Sequence, residues 1–430
     1  MDKKKLNLFL LCSPNLGILD NWLPVLTLLK KSGSFKISVI FTKTPSKEIF
    51  ISDNQVLQKS FKIFDNFFIY SNGQIWLEFK SIKEIISLKN NRLINLLIKL
   101  RYRIKRFKIA NFLLTILIYF YETFKFSNYS INIKKINQKG PLLYDIHEEY
   151  KESNKKLMEL FNGQKKYSIC HGINIHQKII NNKKLNRNKK ETTAFLFSKN
   201  EINYYSKSFN LLQEEMLVTG IPRHDKEWIK ILRKEKSILK FNRYVILVSR
   251  SLSPFFTLER KLDALRSIRT VIIEKLSLKL VIKMHPKEND KNLYYDIFGK
   301  ENIGINWSFT DEHIFVLSKN AIFSITFFSG VSIDLIKCKV PVLEFLSLSG
   351  IPAYDNEYAL RDEKDKPVLD YRFLKLVKGI ESKLELYDEA NKILAEKNHL
   401  VNFQSNRFKK LFKQTNNAST SILQYIVKST

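Results

Sequence analysis

The sequence predicts an α/β protein of two domains, each built on a mainly parallel sheet. Its 430 residues are more than a single domain of ordinary size contains, and the apolar fraction of 44% is enough to fill two hydrophobic cores. Short β-branched and aromatic runs alternate with segments of helical periodicity, most clearly in residues 280–345. Each run there ends in an abrupt polar turn, and such turns gather at the carboxyl edge of a parallel sheet, where ligands bind.

The first domain is expected over residues 1–235. Residues 6–11 form an apolar run, residues 20–31 have helical spacing, and residues 36–41 return to a strand pattern. The first turn lacks the GxGxxG pattern of dinucleotide-binding folds, which argues against a nicotinamide cofactor. Further strands are predicted at the following positions: 142–146, 167–170, 194–197 and 216–218.

A lysine-rich linker near residues 232–241 is expected to precede a second domain over residues 236–375. A charged helical tail is predicted over residues 376–430. The second domain's predicted strands are 244–248, 280–283, 302–306, 322–326 and 340–345. A long helix is predicted after residue 251, to about residue 276, and two shorter helices at 312–318 and 331–336.

The net charge of +31 predicts attraction to a polyanion, although many lysines stand singly in loops and part of the excess is explained equally well by composition. The three cysteines have no CxxC spacing, which fits a reducing cytosol and gives no cysteine zinc site. The basic start followed by a short apolar run lacks a cleavage site and is better explained as a buried strand than as a secretion signal.

Residues 92–126 have an apolar helical face beside a basic shoulder. The apolar run, residues 109–121, interrupted at Asn111, is too short to cross a hydrocarbon core, which needs about 20 residues. Such a helix can lie on anionic lipid or pack against its own domain, and both alternatives stay open. Nucleic acid is not expected as a partner, because no nucleic-acid fold signature accompanies the charge. The residues expected to contact a membrane are Arg101, Arg103, Lys105 and Arg106.

Cationic and hydroxyl side chains follow three strands of the second domain. Pro286 holds His285 extended beyond the strand that ends at Lys283. Arg250 follows the first strand and can form a fork to a phosphate. A turn containing Ser329 and Gly330 precedes a helix and is typical of phosphate binding, although it is also an ordinary helix start. Together these loops predict a ligand that carries phosphate.

Four motifs carry a resemblance to a known group of proteins. They are His171-Gly172, the run Gly220-Ile221-Pro222-Arg223-His224-Asp225, the run Lys283-Met284-His285-Pro286, and the segment from Ser329 through Asp334 to Phe345. The chain resembles bacterial surface-polysaccharide glycosyltransferases, in particular the CDP-glycerol glycerophosphotransferase and capsule Kdo or polysialic acid transferase group. The resemblance implies a GT-B fold, with two Rossmann-like domains across a cleft, and activity without metal or cofactor.

The resemblance also implies roles for single residues. His285 would contact the phosphate of a cytidine nucleotide donor, assisted by Ser329 and Gly330, while Pro286 and Glu344 would contact the nucleotide. Lys283 stands where the glycerophosphotransferases tend to have arginine, and it lacks the bidentate fork, so the donor's identity stays open.

His171 would lie on the acceptor side. We expect it to be the base that activates an acceptor hydroxyl, with Glu148 or Asp145 as a carboxylate alternative. The expected function is that of a cytoplasmic glycosyltransferase or glycerophosphotransferase, peripheral on the membrane. It would transfer a sugar or glycerophosphate from a cytidine-nucleotide-activated donor to a surface polysaccharide or lipid-linked acceptor. A nonhydrolysing UDP-sugar 2-epimerase and a non-enzymatic protein that binds lipid or nucleic acid are the alternatives.

Overall fold

The computed structural model describes residues 5–13, 17–42, 54–71, 74–79, 140–173, 191–288, 290–413 and 417–430. Fourteen strands lie in these ranges. They are β1 (Leu6–Cys12), β2 (Phe35–Phe41), β3 (Asn66–Ser71), β4 (Gln74–Phe79), β5 (Leu142–Tyr144), β6 (Lys166–Ser168), β7 (Thr192–Leu196), β8 (Met216–Val218), β9 (Tyr244–Val248), β10 (Leu280–Lys283), β11 (Trp307–Phe309), β12 (Ala321–Thr326), β13 (Val342–Phe345) and β14 (Lys378–Ile380).

The α-helices of the described residues separate most of these strands. They are α1 (Ile18–Lys31), α2 (Gln55–Ser60), α3 (Lys155–Glu159), α4 (Ile202–Phe209), α5 (Lys226–Arg233), α6 (Leu258–Ile268), α7 (Asn292–Phe298), α8 (Ile314–Leu317), α9 (Val331–Lys337), α10 (Asp370–Phe373), α11 (Lys383–Ala395), α12 (Lys397–Leu411) and α13 (Ala418–Ser429).

The strands of the described residues form two sheets. The first sheet has the order β4-β3-β2-β1-β5-β6-β7-β8, and the second has the order β11-β10-β9-β12-β13-β14. All neighbouring strands pair in parallel except β3 and β4, which are antiparallel. The central strands are buried on both faces, which explains their continuous apolar runs. The α/β prediction is therefore confirmed.

Three parts of the second sheet and its surroundings differ from the predicted elements. Residues 302–306 were expected to be a strand, but the strand begins at Trp307, because Gly304 turns the chain at φ +77°. Strand β14 lies inside the segment expected to be helical, and it is a short edge strand with little periodicity of its own. The helix expected to run to about residue 276 changes to a π-helix at Arg269–Lys275.

The last helix crosses back to the first sheet. Helix α13 packs against α1, and its Tyr425 ring packs edge-on against the rings of Tyr167 and Phe195. Its first turn is held by Asp225, whose carboxylate accepts from the backbone N–H groups of Ala418 at 2.9 Å and Ser419 at 2.8 Å. A helix far along the sequence thus covers part of one face of the first sheet, beside α1.

A buried ion pair joins the two sheets. Arg223 Nε donates to Asp334 Oδ1 at 2.7 Å, and His224 Nε2 lies 2.6 Å from the same oxygen. All three side chains are almost fully buried. Burial opposes ionisation of Asp334, but Arg223 and His224 outweigh it and hold the pKa of this carboxyl below its ordinary value. Burial also lowers the pKa of His224 to about 4, so this imidazole is neutral near pH 7.

Candidate functional site

Asp145 and His171 form a hydrogen-bonded pair at the carboxyl edge of the first sheet. Asp145 follows β5 and is buried, whereas the His171 side chain, just past β6, is 60% exposed. Asp145 Oδ2 accepts from the His171 backbone N–H at 3.0 Å and is also bonded to His171 Nδ1. This hydrogen bond engages Nδ1, so Nε2 is the ring nitrogen that can accept a proton from a substrate. The hydrogen bond to Asp145 also raises the pKa of His171.

Asp145 is an anchored anion. Its Oδ1 accepts from the backbone N–H of His147 at 3.0 Å and lies 2.8 Å from His147 Nδ1. Burial disfavours its charge, but the hydrogen bonds from His147 and His171 outweigh burial and hold its pKa well below the ordinary value. It is therefore suited to orient His171 and to stabilise an imidazolium, while His171 is the group that reaches solvent.

Glu148 is paired within the first sheet's own loops. Its Oε1 accepts from Lys151 Nζ at 2.6 Å and its Oε2 accepts from Asn154 Nδ2 at 2.8 Å. The side chain is only 7% exposed. Both carboxylate oxygens therefore already have donors, and a role as base would require this arrangement to open.

One trio of metal-ligating atoms occurs in the portion of the chain that the structure describes. It consists of a carboxylate oxygen of Asp145, a ring nitrogen of His147 and the Cys170 thiol, all within 4.8 Å of one another. His147 Nδ1 already lies 3.6 Å from Cys170 Sγ and is hydrogen-bonded to Asp145. Burial raises the pKa of the Cys170 thiol well above its ordinary value, which opposes the thiolate that a metal would need.

Arg250 lies at the carboxyl edge of the second sheet, after β9. Its guanidinium carbon is 4.9 Å from the Phe255 ring centre and 5.5 Å from the Phe328 ring centre. Arg250 Nη1 donates to the carbonyl oxygen of Phe328 at 2.6 Å, directly before Ser329. This contact joins the loop after β9 to the turn after β12, and burial lowers the pKa of the guanidinium.

Lys283 is turned toward the protein. Its Nζ donates to the carbonyl oxygens of Asp311 at 3.3 Å and Glu312 at 2.7 Å. Burial lowers the pKa of this ammonium. Lys283 therefore ties the end of β10 to the loop after β11, and two of its donor positions are used in doing so.

His285 is held by a carboxylate that the sequence patterns did not single out. Glu288 Oε2 accepts from the His285 backbone N–H at 2.8 Å, and Glu288 Oε1 accepts from Tyr294 Oη at 2.8 Å. The buried Lys261 forms an ion pair with Glu288 and donates to the carbonyl oxygen of Arg250 at 3.0 Å. Lys261 and Glu288 thus fix the Arg250 and His285 loops relative to each other.

The imidazole of His285 is half-exposed and lies near cations. Burial lowers its pKa, Glu288 opposes this effect, and Arg250 adds to it. Its Nδ1 accepts from the backbone N–H of Lys287 at 3.1 Å, which assigns the proton of the neutral ring to Nε2. Pro286 follows directly and begins the turn that contains this bond.

Ser329 and Gly330 form the turn directly before α9. The backbone N–H of Val331 donates to Ser329 Oγ at 3.3 Å, as in a Ser turn at a helix start. A Cβ at Gly330 would lie 3.7 Å from Tyr371 Oη, so the turn faces the start of α10. The turn therefore adjoins Arg250 on one side, through Phe328, and Tyr371 on the other.

A chain of polar contacts connects the two sheet edges. Arg223 reaches from Asp334 of α9 to Asn21 of α1, donating to Asn21 Oδ1 at 2.5 Å. Asn21 Nδ2 donates to the carbonyl oxygen of Cys170 at 2.6 Å, directly before His171. Helix α9 is thereby linked to the loop that carries His171. The patterns in the sequence identified the run containing Arg223 but gave it no function.

The expected membrane-contact residues Arg101, Arg103, Lys105 and Arg106 lie outside the described residues, as does all of 92–126. Among the helices that the structure describes, none is both long enough and apolar enough to cross a bilayer.

Comparison with solved structures identifies the fold. No protein-family model and no curated protein matches the chain. The structure is similar to a putative UDP-N-acetylglucosamine 2-epimerase from Listeria monocytogenes, with a TM-score of 0.54 and 14% identity over 99% of this chain and 98% of that one. UDP-GlcNAc 2-epimerase from Neisseria meningitidis bound to UDP-GlcNAc gives a TM-score of 0.52 and 14% identity over 98% and 100%.

A variant of the wall teichoic acid polymerase TagF with CDPG gives a TM-score of 0.53 and 13% identity, over 99% of this chain and 89% of that chain. Identities this low define architecture and not activity. With its two Rossmann-like sheets, the chain has the GT-B fold.

Proposed function

We propose that the protein transfers a glycosyl or glycerophosphate group from a nucleotide-activated donor to a hydroxyl of a surface-glycan or lipid-linked acceptor. The observation that carries the proposal is the His171–Asp145 pair: an exposed imidazole held by a buried carboxylate at one sheet edge. The second sheet's edge offers Arg250 and His285 beside the Ser329–Gly330 turn. A base and a phosphate-holding edge are the two parts that such a transfer needs.

The proposed step moves one proton and one group. Nε2 of neutral His171 accepts the proton of the acceptor hydroxyl as the hydroxyl oxygen attacks the electrophilic carbon or phosphorus of the donor. The bond from that atom to the nucleotide's phosphate oxygen breaks, and its electron pair leaves with the nucleotide. Arg250 and His285 would hold the departing phosphate, while Asp145 stabilises the imidazolium of His171.

Substitution of the donor-side cations tests the donor assignment. For Arg250→Ala or His285→Ala, we expect weaker binding of CDP, CMP or UDP by about tenfold or more, because a charge-assisted hydrogen bond contributes about 1.5–3 kcal/mol. Thermal shift in the presence of each nucleotide measures the change. Arg266, an exposed arginine on α6, provides the control substitution. Unchanged affinity in both variants would show that the donor site is elsewhere.

A nonhydrolysing UDP-sugar 2-epimerase is the second candidate, favoured by the likeness in fold to two proteins named UDP-N-acetylglucosamine 2-epimerase. Incubation with UDP-N-acetylglucosamine and no acceptor separates the two functions. Accumulation of the C2 epimer would identify an epimerase, whereas group transfer appears only when an acceptor is present.

We also propose that residues 92–126 place the enzyme at the cytoplasmic face of an anionic membrane. Replacing Arg101, Arg103, Lys105 and Arg106 by glutamine should reduce flotation with anionic liposomes, since each basic residue near such a surface contributes about 1 kcal/mol. Equal flotation of both proteins would refute the membrane role and leave the transferase proposal in place.

A further inference from the structure

Glu344 has a buried carboxylate oxygen that nothing in the described part of the chain satisfies. The residue lies near the carboxyl end of β13 and is 1% exposed. Its Oε2 is among the buried side-chain atoms without a hydrogen-bond partner. Leaving such a group unsatisfied costs about 1–3 kcal/mol, and native structures contain few of them. An orphan of this kind beside a candidate ligand site points to a partner that arrives with the ligand.

The sheet register places Glu344 beneath the Ser329–Gly330 turn. Glu344 pairs with Thr326 of β12, and paired residues of adjacent parallel strands face the same side of a sheet. Thr326 Oγ1 lies 3.3 Å from Ser332 Oγ, in the first turn of α9. The Glu344 side chain is therefore on the face that α9 covers, next to the start of that helix.

The charges around Glu344 come from two neighbouring elements. Arg372, Asp370 and the phenol of Tyr371 belong to α10, and Arg250 belongs to the loop after β9. Arg372 can lie across the sheet because Gly379, which pairs with Glu344, has no side chain: a Cβ there would be 2.1 Å from Arg372 Nε. Arg372 is already paired with Asp362 and Glu381, so much of its charge is neutralised.

These effects weaken the ordinary preference of Glu344 for the ionised form, so that both forms are populated near pH 7. Burial raises the pKa of Glu344 to about 7, Arg372 and Arg250 oppose the rise, and Asp370 adds to it. An ionised carboxylate at this position would repel a bound phosphate, whereas a protonated carboxyl is a hydrogen-bond donor. A phosphate on the turn would itself favour the protonated form, because it adds a nearby negative charge.

We propose that Glu344 is a phosphate-binding residue that takes a proton from water when the nucleotide donor binds and donates the resulting O–H to a phosphate oxygen. The proposal rests on the proposed function, because it assumes a phosphate at the turn. It explains the orphan oxygen, the position of Glu344 beneath that turn and its place beside Arg250. It also predicts that nucleotide binding is linked to proton uptake.

Calorimetry on the unmodified protein tests this linkage directly. CDP is titrated near pH 7.5 in two buffers of different ionisation enthalpy, and the difference in apparent enthalpy gives the number of protons taken up. We expect a net uptake of several tenths of a proton with CDP and none with cytidine, which has no phosphate. Uptake of equal size with cytidine would assign Glu344 to the nucleoside and overturn the proposal.

The matched variants are Glu344→Gln and Glu363→Gln. Glutamine keeps a hydrogen-bond donor and the side-chain shape but does not titrate. Glu363 is the matched control because its carboxylate is 77% exposed. Between about pH 6 and pH 8, the CDP affinity of the unmodified protein and of Glu363→Gln should fall by several-fold more than that of Glu344→Gln, since one pKa unit corresponds to a factor of ten. The second pKa of phosphate is common to all three proteins and cancels in the comparison.

The outcomes separate this inference from the proposed function. Absence of binding by CDP, CMP and UDP to the unmodified protein would refute the donor proposal as a whole. Binding without proton uptake would refute only the role of Glu344. If Glu344→Gln fails to fold, the same calorimetry on His285→Ala decides the question, because the His285 ring also lies on the donor side and titrates. Proton uptake that persists in His285→Ala supports the role of Glu344, whereas uptake that disappears there overturns it.

Discussion

Replacing His171 by alanine is expected to lower kcat by about 10²–10⁴-fold, because general base catalysis contributes that much and His171 is the exposed imidazole that Asp145 orients. Donor affinity should change little, since the donor-side residues belong to the second sheet. Single-turnover transfer measures the first quantity and nucleotide titration measures the second. His399, an exposed histidine of α12, is the control substitution.

Asp145→Asn should give a different signature. The hydrogen bond that His171 donates to Asp145 raises the pKa of His171, so neutral His171 accumulates only above its ordinary value of about 6.5. The acidic limb of the pH profile of kcat/KM should therefore lie above that value and move to lower pH in Asp145→Asn, while kcat falls. A profile that keeps its acidic limb in both His171→Ala and Asp145→Asn would show that another group is the base.

Asp334→Ala is expected to destabilise the folded protein by about 3–5 kcal/mol, because it leaves the buried Arg223 without its main counter-charge. Urea denaturation followed by tryptophan fluorescence measures the loss. The double variant Asp334→Ala with Arg223→Met should recover much of it, since removing both charges removes the unpaired one.

Asp263→Ala serves as the control, because Asp263 pairs with Arg266 on the surface at 3.5 Å and both side chains are more than 60% exposed. Its expected effect is below about 1 kcal/mol. A comparable small effect for Asp334→Ala would show that the contact between the sheets contributes little to stability.

In both sheets, the strands that the sequence predicted are those with continuous apolar runs. Strands such as Tyr244–Val248 and Leu280–Lys283 are continuous apolar runs with sharp polar ends, and burial on both faces gives them that pattern. Strand β14 has no such run, because it is a short edge strand with Gly379 at its centre, and its place is decided by pairing with β13. Local patterns carry no information about pairing of that kind.

The position of a candidate site residue could be predicted from the sequence where that residue follows a strand closely. His171, Arg250 and His285 lie at strand ends, as expected. The partners that fix them are distant in sequence: Asp145 reaches His171, and Lys261 and Glu288 hold the Arg250 and His285 loops. Such contacts depend on the fold and cannot be inferred from spacing. Lys283 illustrates the converse, since its ammonium binds backbone carbonyl oxygens of the loop after β11.

Helix α13 has a consequence for how the protein is made. Part of one face of the first sheet, around Tyr167 and Phe195, remains uncovered during synthesis until Ala418–Ser429 has left the ribosome, although the described strands of that sheet are made before residue 220. The second sheet is complete earlier, with Lys378–Ile380. The N-terminal half of the chain must therefore wait with exposed apolar surface while the other half folds, a period in which chaperone binding or aggregation competes with folding. Substituting Asp225, which holds the start of α13, should prolong that period.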